Sequence, residues 1–133
     1  MLLNISNHPY SEWSSDQKKA AASEFGSVQD LPHPVIAPEA DAITVLSKAN
    51  ELFKEIDVVG PDAVHIMGEH TFCHVLINLL QQAGYRCLAS TTRRSVEKLD
   101  NSEIRRVFEF VRFRDYPHAN STINRTNMSG EPG

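Results

Sequence analysis

Neither of the common glycine-rich phosphate loops occurs in this chain. Its six glycines form no Gly-x-Gly-x-x-Gly after the first apolar run and no Gly-x4-Gly-Lys-Ser/Thr. The backbone cradles of dinucleotide dehydrogenases and P-loop ATPases are therefore excluded. A basic excess is missing too. With a formal net charge of −4, the chain is not expected to bind duplex nucleic acid, because such binders neutralise several phosphates with Lys and Arg. A local basic cluster remains able to hold a small anion. Cysteine is scarce: Cys73 and Cys87 are the two present, each inside an apolar segment and without metal-ligand spacing. Both are expected to be buried free thiols. No apolar run reaches membrane-spanning length, and the opening Met-Leu-Leu-Asn-Ile-Ser carries no basic leader, so a cytoplasmic protein without a membrane partner is expected. The two-carboxylate pattern of glycosidases is not evident. The Asn-x-Ser/Thr matches at Asn120 and Asn124 are of the kind a polar tail produces by chance.

What is present suits one folded domain. The 133 residues are 41% hydrophobic and 23% charged, enough to bury a core without disulfides or metal. Residues 1–116 are read as that domain, and 117–133 as a polar, loosely attached tail. Leu2 to Ser6 is apolar without alternation, as in a strand buried on both faces. A helix capped by Ser14 or Ser15 runs to about Phe25, where Gly26 closes it. Val28 to Leu31 is a short strand. Pro38 suits the first turn of a helix reaching about Ile56, with Ala42, Leu46, Ala49, Phe53 and Ile56 at helical spacing. Ala63 to Met67 is a third strand. The stripe Phe72, Val75, Leu76, Leu79, Leu80 and Ala83 predicts a helix that Gly84 stops. Arg86 to Ala89 is a fourth strand with room to continue to about Lys98, and Ile104 to Arg114 is a fifth.

This order predicts a Rossmann-like α/β fold. Three βα units impose parallel pairing through right-handed crossovers, giving sheet order 2-1-3-4-5 with the last strand antiparallel. Ligands in such sheets lie at the carboxyl ends of the strands, where the chain reverses direction. Three polar clusters are expected on that rim: Ser6-Asn7-His8, Gly68-Glu69-His70-Thr71, and Ser90-Thr91-Thr92-Arg93-Arg94. The helix starting near Thr71 would aim backbone N–H groups at an anion, while Thr71 itself reads equally as its N-cap. Hydroxyls and the two arginines suit phosphoryl oxygens. Residues 93 and 94 point to opposite faces of a strand, so one of them faces a given ligand. His8 is the acid/base candidate, the alternative being a histidine that hydrogen-bonds the Asn7–Pro9 turn. Glu69 would orient His8 or cap a backbone donor. His70 and His74 stand four apart but lack the zinc-protease glutamate, so a surface pair is expected rather than a metal site. His33 and His65 read as structural. In the last strand Arg105, Arg106, Arg112 and Arg114 alternate around Phe108, Phe110 and Phe113. This pattern fits an edge strand with arginine gatekeepers, or a homodimer edge, better than a single-strand nucleic-acid platform.

Four segments together resemble a known group. Asn-x-Ser-Asn-His-Pro at 4–9, Gly-Glu-x-Thr at 68–71, Ser-Thr-Thr-Arg at 90–93 and Phe-Val-Arg-Phe-Arg-x-Tyr at 110–116 are similar to small CRISPR-associated proteins. These are stand-alone relatives of CRISPR-associated Rossmann-fold sensor domains and include the ring nucleases. The resemblance covers residues 1–116 and implies binding of cyclic oligoadenylate across a two-fold homodimer. For the ring nucleases it implies cleavage without metal or other cofactor, by a ribose 2′-hydroxyl attacking its neighbouring phosphate. The rim residues would then divide the work: Arg93 or Arg94 for charge, His8 for proton transfer, and Ser6, Asn7, Thr71, Thr91 and Thr92 for positioning. Two alternatives stay open. One is a protein that sequesters or senses the same ligand uncut. The other is an interaction protein pairing through its last strand.

Overall fold

The computed structural model describes residues 1–118. Five strands form one sheet: β1 (Leu2–Ser6), β2 (Val28–Asp30), β3 (Ala63–Met67), β4 (Arg86–Lys98) and β5 (Ile104–Asp115). Their order is β2-β1-β3-β4-β5, parallel except for the antiparallel β4–β5 pair. Three helices flank it: α1 (Ser15–Phe25), α2 (Ala42–Val59) and α3 (His70–Gln82). A single 3-10 turn, Tyr10–Glu12, precedes α1. The expected topology is the observed one.

Strand alternation sends side chains to two cores. Leu3, Ile5, Val64, Ile66 and Cys87 face α2 and α3, meeting Ala49, Ile56, Phe72, Leu76 and Leu80. Leu2, Ala63 and Leu88 face α1, where Trp13, Ala21 and Phe113 complete a smaller core. Covering both faces is what lets the parallel strands be apolar throughout. Both cysteines are free and buried as expected, and burial pushes the thiols up to about 11 for Cys73 and about 12 for Cys87. Among the described residues, no helix is long and apolar enough to cross a membrane.

Helix ends follow local chemistry. The Ser14 hydroxyl accepts from the Gln17 amide at 3.2 Å, and Gly26 terminates α1. Gly60 ends α2 at φ +62°, a left-handed conformation that favours glycine. Two expectations are corrected. Pro38 does not open α2; the helix starts at Ala42 because the Asp41 carboxylate caps the Thr44 amide at 2.9 Å. The buried stripe is accordingly Val45, Ala49, Leu52 and Ile56, and Leu46 is exposed.

The fourth strand does continue to Lys98. Only Arg86, Cys87 and Leu88 pair with β3, whereas β4 pairs with β5 along its length from Leu88 to Lys98. Ala89–Lys98 therefore runs past the sheet as a two-stranded ribbon. A register shift at Thr91/Thr92 pairs Thr91 with Arg112 and Thr92 with Phe110, leaving Val111 as an extra residue. The bulge puts Phe110 and Phe113 on the same face, although they are three residues apart. β5 is an edge strand, with Phe113 buried and Phe108 66% exposed. The tail expected from Pro117 onward lies, from residue 119, outside the described residues.

Candidate functional site

The chain reverses direction between β1 and β3, and a crevice of about 600 Å3 opens there at their carboxyl ends. The size suits a drug-sized ligand. Ser6, Asn7 and His8 enter from the end of β1, Gly68 from the end of β3, and Ser90 and Thr92 from β4. Six predicted residues from three distant segments thus meet in one place.

The walls are aromatic. Trp13, together with Phe108 and Phe110 of the ribbon, lines the crevice. Trp13 meets Phe113 at 6.0 Å and Tyr10 at 5.5 Å between ring centroids, which ties the loop before α1 to the sheet.

A polar network holds that loop in place. Asn4, 2% exposed in the middle of β1, donates through Nδ2 to the His8 carbonyl at 2.9 Å and to Asp30 Oδ1 at 2.8 Å. The same His8 carbonyl accepts from the Trp13 indole N–H at 3.1 Å and from the Ser6 hydroxyl at 3.0 Å. Asp30 also accepts from the Tyr10 amide at 3.1 Å. Each buried polar atom so paired avoids a desolvation penalty of about 1–3 kcal/mol. The His8 backbone, rather than its ring, therefore fixes the turn. The ring itself stands out, with the side chain 79% exposed and Nδ1 3.9 Å from Glu12 Oε2. That separation is an exposed ion-pair geometry and contributes little stability.

The second predicted cluster divides. Glu69, His70 and Thr71 lie in an adjoining depression with His33 and Ile36, which shares Asn7 and Gly68 with the crevice. Here one expectation changes: the N-cap of α3 is Glu69, not Thr71. The Glu69 carboxylate accepts from the Thr71 and Phe72 amides at 2.9 and 3.2 Å and from the Thr71 hydroxyl. The Thr71 hydroxyl, foremost, and these amides hold the carboxyl below its usual range. A carboxylate already occupying those N–H groups leaves them unavailable to an anionic ligand, which removes the expected helix-terminus phosphate site. Gly68 has a packing reason as well, since a Cβ there would collide with the His33 ring. His70 and His74 are both exposed, as a surface pair would be.

Thr91, Arg93 and Arg94 line neither depression. The Thr91 hydroxyl donates to the Arg112 carbonyl at 3.1 Å. Arg93 pairs with Glu109 across the ribbon and Arg94 with Phe108. By alternation Arg94 shares the face of Thr92 and Phe110, and Arg93 takes the opposite one. Of the two arginines, only Arg94 stands on the crevice side.

Sequence reasoning missed Trp13, Phe108 and Phe110 as crevice residues; His65, read as structural, is buried and bonded within the sheet as that reading expects, and it also borders the crevice. His65 is 1% exposed, contributes to the crevice, and bonds Asn4 Oδ1 through Nδ1 at 2.9 Å. Burial lowers its pKa to about 4, so the imidazole is neutral at pH 7. A signal existed. Asn4 and His65 are the two polar residues inside otherwise apolar central strands, and they pair in register.

Residues 1–114 match the family model described as Uncharacterized protein MJ1673 family. No curated protein and no solved structure matches the chain.

Proposed function

The chain belongs to the MJ1673 family, and from the geometry of its crevice we propose that it binds cyclic oligoadenylate there and cleaves it. One observation carries the reading: aromatic rings from two segments and hydroxyl-bearing residues from two strands line one crevice at the switch point of a doubly wound sheet. Rings such as Trp13, Phe108 and Phe110 can stack on bases, each contact contributing about 1–3 kcal/mol. Ser90 and Thr92 offer hydroxyls to phosphoryl oxygens. A crevice of this size takes part of a cyclic oligonucleotide rather than the whole ring. A second copy of the chain, related by a two-fold axis, would supply the other half.

In the proposed reaction a ribose 2′-hydroxyl attacks the adjacent phosphorus. Its proton passes to the His8 imidazole, the bond to the 5′-oxygen breaks, and that oxygen takes up a proton. The products are a 2′,3′-cyclic phosphate and a free 5′-hydroxyl. Glu12 lies 3.9 Å from the imidazole, and Arg94, on the crevice side of the ribbon, is the arginine assigned to the developing charge.

A second reading has its own support. Neither arginine lines the crevice, so charge stabilisation is weak where the ligand would sit. That favours a protein which holds cyclic oligoadenylate uncut. Incubation with cyclic tetra- and hexa-adenylate, with and without chelator, followed by chromatography, decides between them. Cleavage that survives chelation, and that His8→Ala slows at least tenfold while binding holds, supports the nuclease. Tight binding with the ring recovered intact supports sequestration. No binding of either ring contradicts both.

A further inference from the structure

We infer that Nε2 of His65 is a hydrogen-bond acceptor for a ribose hydroxyl at the floor of the crevice; this rests on the nucleotide reading and names the group recognised.

The tautomer follows from neighbouring bonds. Asn4 donates its amide N–H groups to the His8 carbonyl and the Asp30 carboxylate, both of which are acceptors only. Its Oδ1 must therefore be the atom facing His65 and Ser6. An oxygen there requires the proton on His65 Nδ1, so Nε2 is left as a bare lone pair. Among the described residues Nε2 has no hydrogen-bond partner, although it is fully buried. An unpaired acceptor inside a protein is costly, and this one belongs to a residue of the crevice. His65 is neutral near pH 7, burial holding its pKa near 4. Its lone pair repels phosphate oxygens and accepts from O–H donors.

The position favours the sugar over the base. The ribbon rings Phe108 and Phe110 offer stacking surfaces, and the rim hydroxyls of Ser90 and Thr92 suit phosphate. The ribose joins base to phosphate and falls between them. Trp13 and Phe113 pack edge-on against the imidazole at 5.2 and 5.7 Å, so a hydroxyl reaching the buried Nε2 requires the aromatic packing around it to open.

The test uses the intact protein with 15N-labelled histidine. Without ligand, His65 should show a protonated Nδ1 and an unprotonated Nε2 at pH 7; the opposite tautomer overturns the inference. Adenosine 5′-monophosphate and inosine 5′-monophosphate should each shift the Nε2 resonance. The 2′,3′-dideoxy analogue of the former should bind about fivefold more weakly, the equivalent of one net hydrogen bond, and leave Nε2 unmoved. Nucleotide binding, seen in Trp13 emission, with Nε2 unmoved overturns the inference and spares the nucleotide reading. An equal shift with the dideoxy analogue, or none with inosine monophosphate, also overturns it. If no nucleotide binds, the nucleotide reading fails, and ribose 5-phosphate then decides: an Nε2 shift keeps the hydroxyl acceptor, and silence ends both. His65→Phe, where it folds, should abolish discrimination between the ribo- and dideoxy-nucleotides without weakening the latter.

Discussion

Burying a histidine inside a parallel sheet links stability to pH. The folded pKa of His65 is near 4, against an ordinary 6.5. Unfolding lets it take up a proton, so its contribution is complete above 6.5 and is lost as pH falls toward 4. The shift corresponds to about 3 kcal/mol. Urea unfolding at pH 7 and pH 4.5 should show a larger acid loss in the native chain than in His65→Gln, by about 2 kcal/mol. Equal losses would mean that the imidazole titrates alike in the folded and unfolded chain, contradicting its burial as the neutral form. Gly68 makes a second residue-scale prediction. Its missing Cβ leaves room for the His33 ring, which also meets Phe72 edge-on at 5.1 Å. Gly68→Ala should lower the unfolding free energy by about 1–3 kcal/mol, and Gly68→Ala in a His33→Ala background should cost less. An equal cost would place the strain elsewhere. At this scale the sequence showed polarity but not pairing. Asn4 and His65 stand out within apolar runs, yet their bond needs the parallel register, which no local pattern encodes.

Elements were legible where their signals were local. The stripe of α3 and the uniform apolarity of β1 and β3 named those elements. Helix starts were harder, because any of several nearby polar residues can cap. Asp41 begins α2 four residues after Pro38's place would suggest, and Glu69 caps α3 in front of Thr71. The buried stripe of α2 differs too, with Val45 and Leu52 standing where Leu46 and Phe53 were expected. Termination is clearer. Gly60 holds φ at +62°, so Gly60→Ala should cost about 1 kcal/mol in urea unfolding; an unchanged midpoint would contradict the left-handed cap. The ribbon was visible as alternating apolar and basic residues, but its bulge was not. In a regular ladder without the bulge, Val111 would stand opposite Thr92 and Phe110 opposite Arg93, turning Phe110 away from the crevice.

Across the molecule, strand direction did most of the work. Parallel βα units put the ends of β1 and β3 and the middle of β4 on one rim, so Ser6, His8, Gly68, Ser90 and Thr92 meet. The rim's division into two depressions was not legible, because it depends on where the 31–41 segment packs His33. The aromatic walls were not legible either, since Trp13 lies outside any periodic run and Phe108 read as part of an edge. Trp13 offers the most direct check, being the only tryptophan in the chain and one wall of the crevice. Titration with cyclic tetra-adenylate should change its emission saturably, and Thr92→Val with Phe110→Ala should weaken that response at least tenfold. Calorimetric binding that leaves the tryptophan emission untouched, or no binding at all, would contradict the placement of the ligand in this crevice.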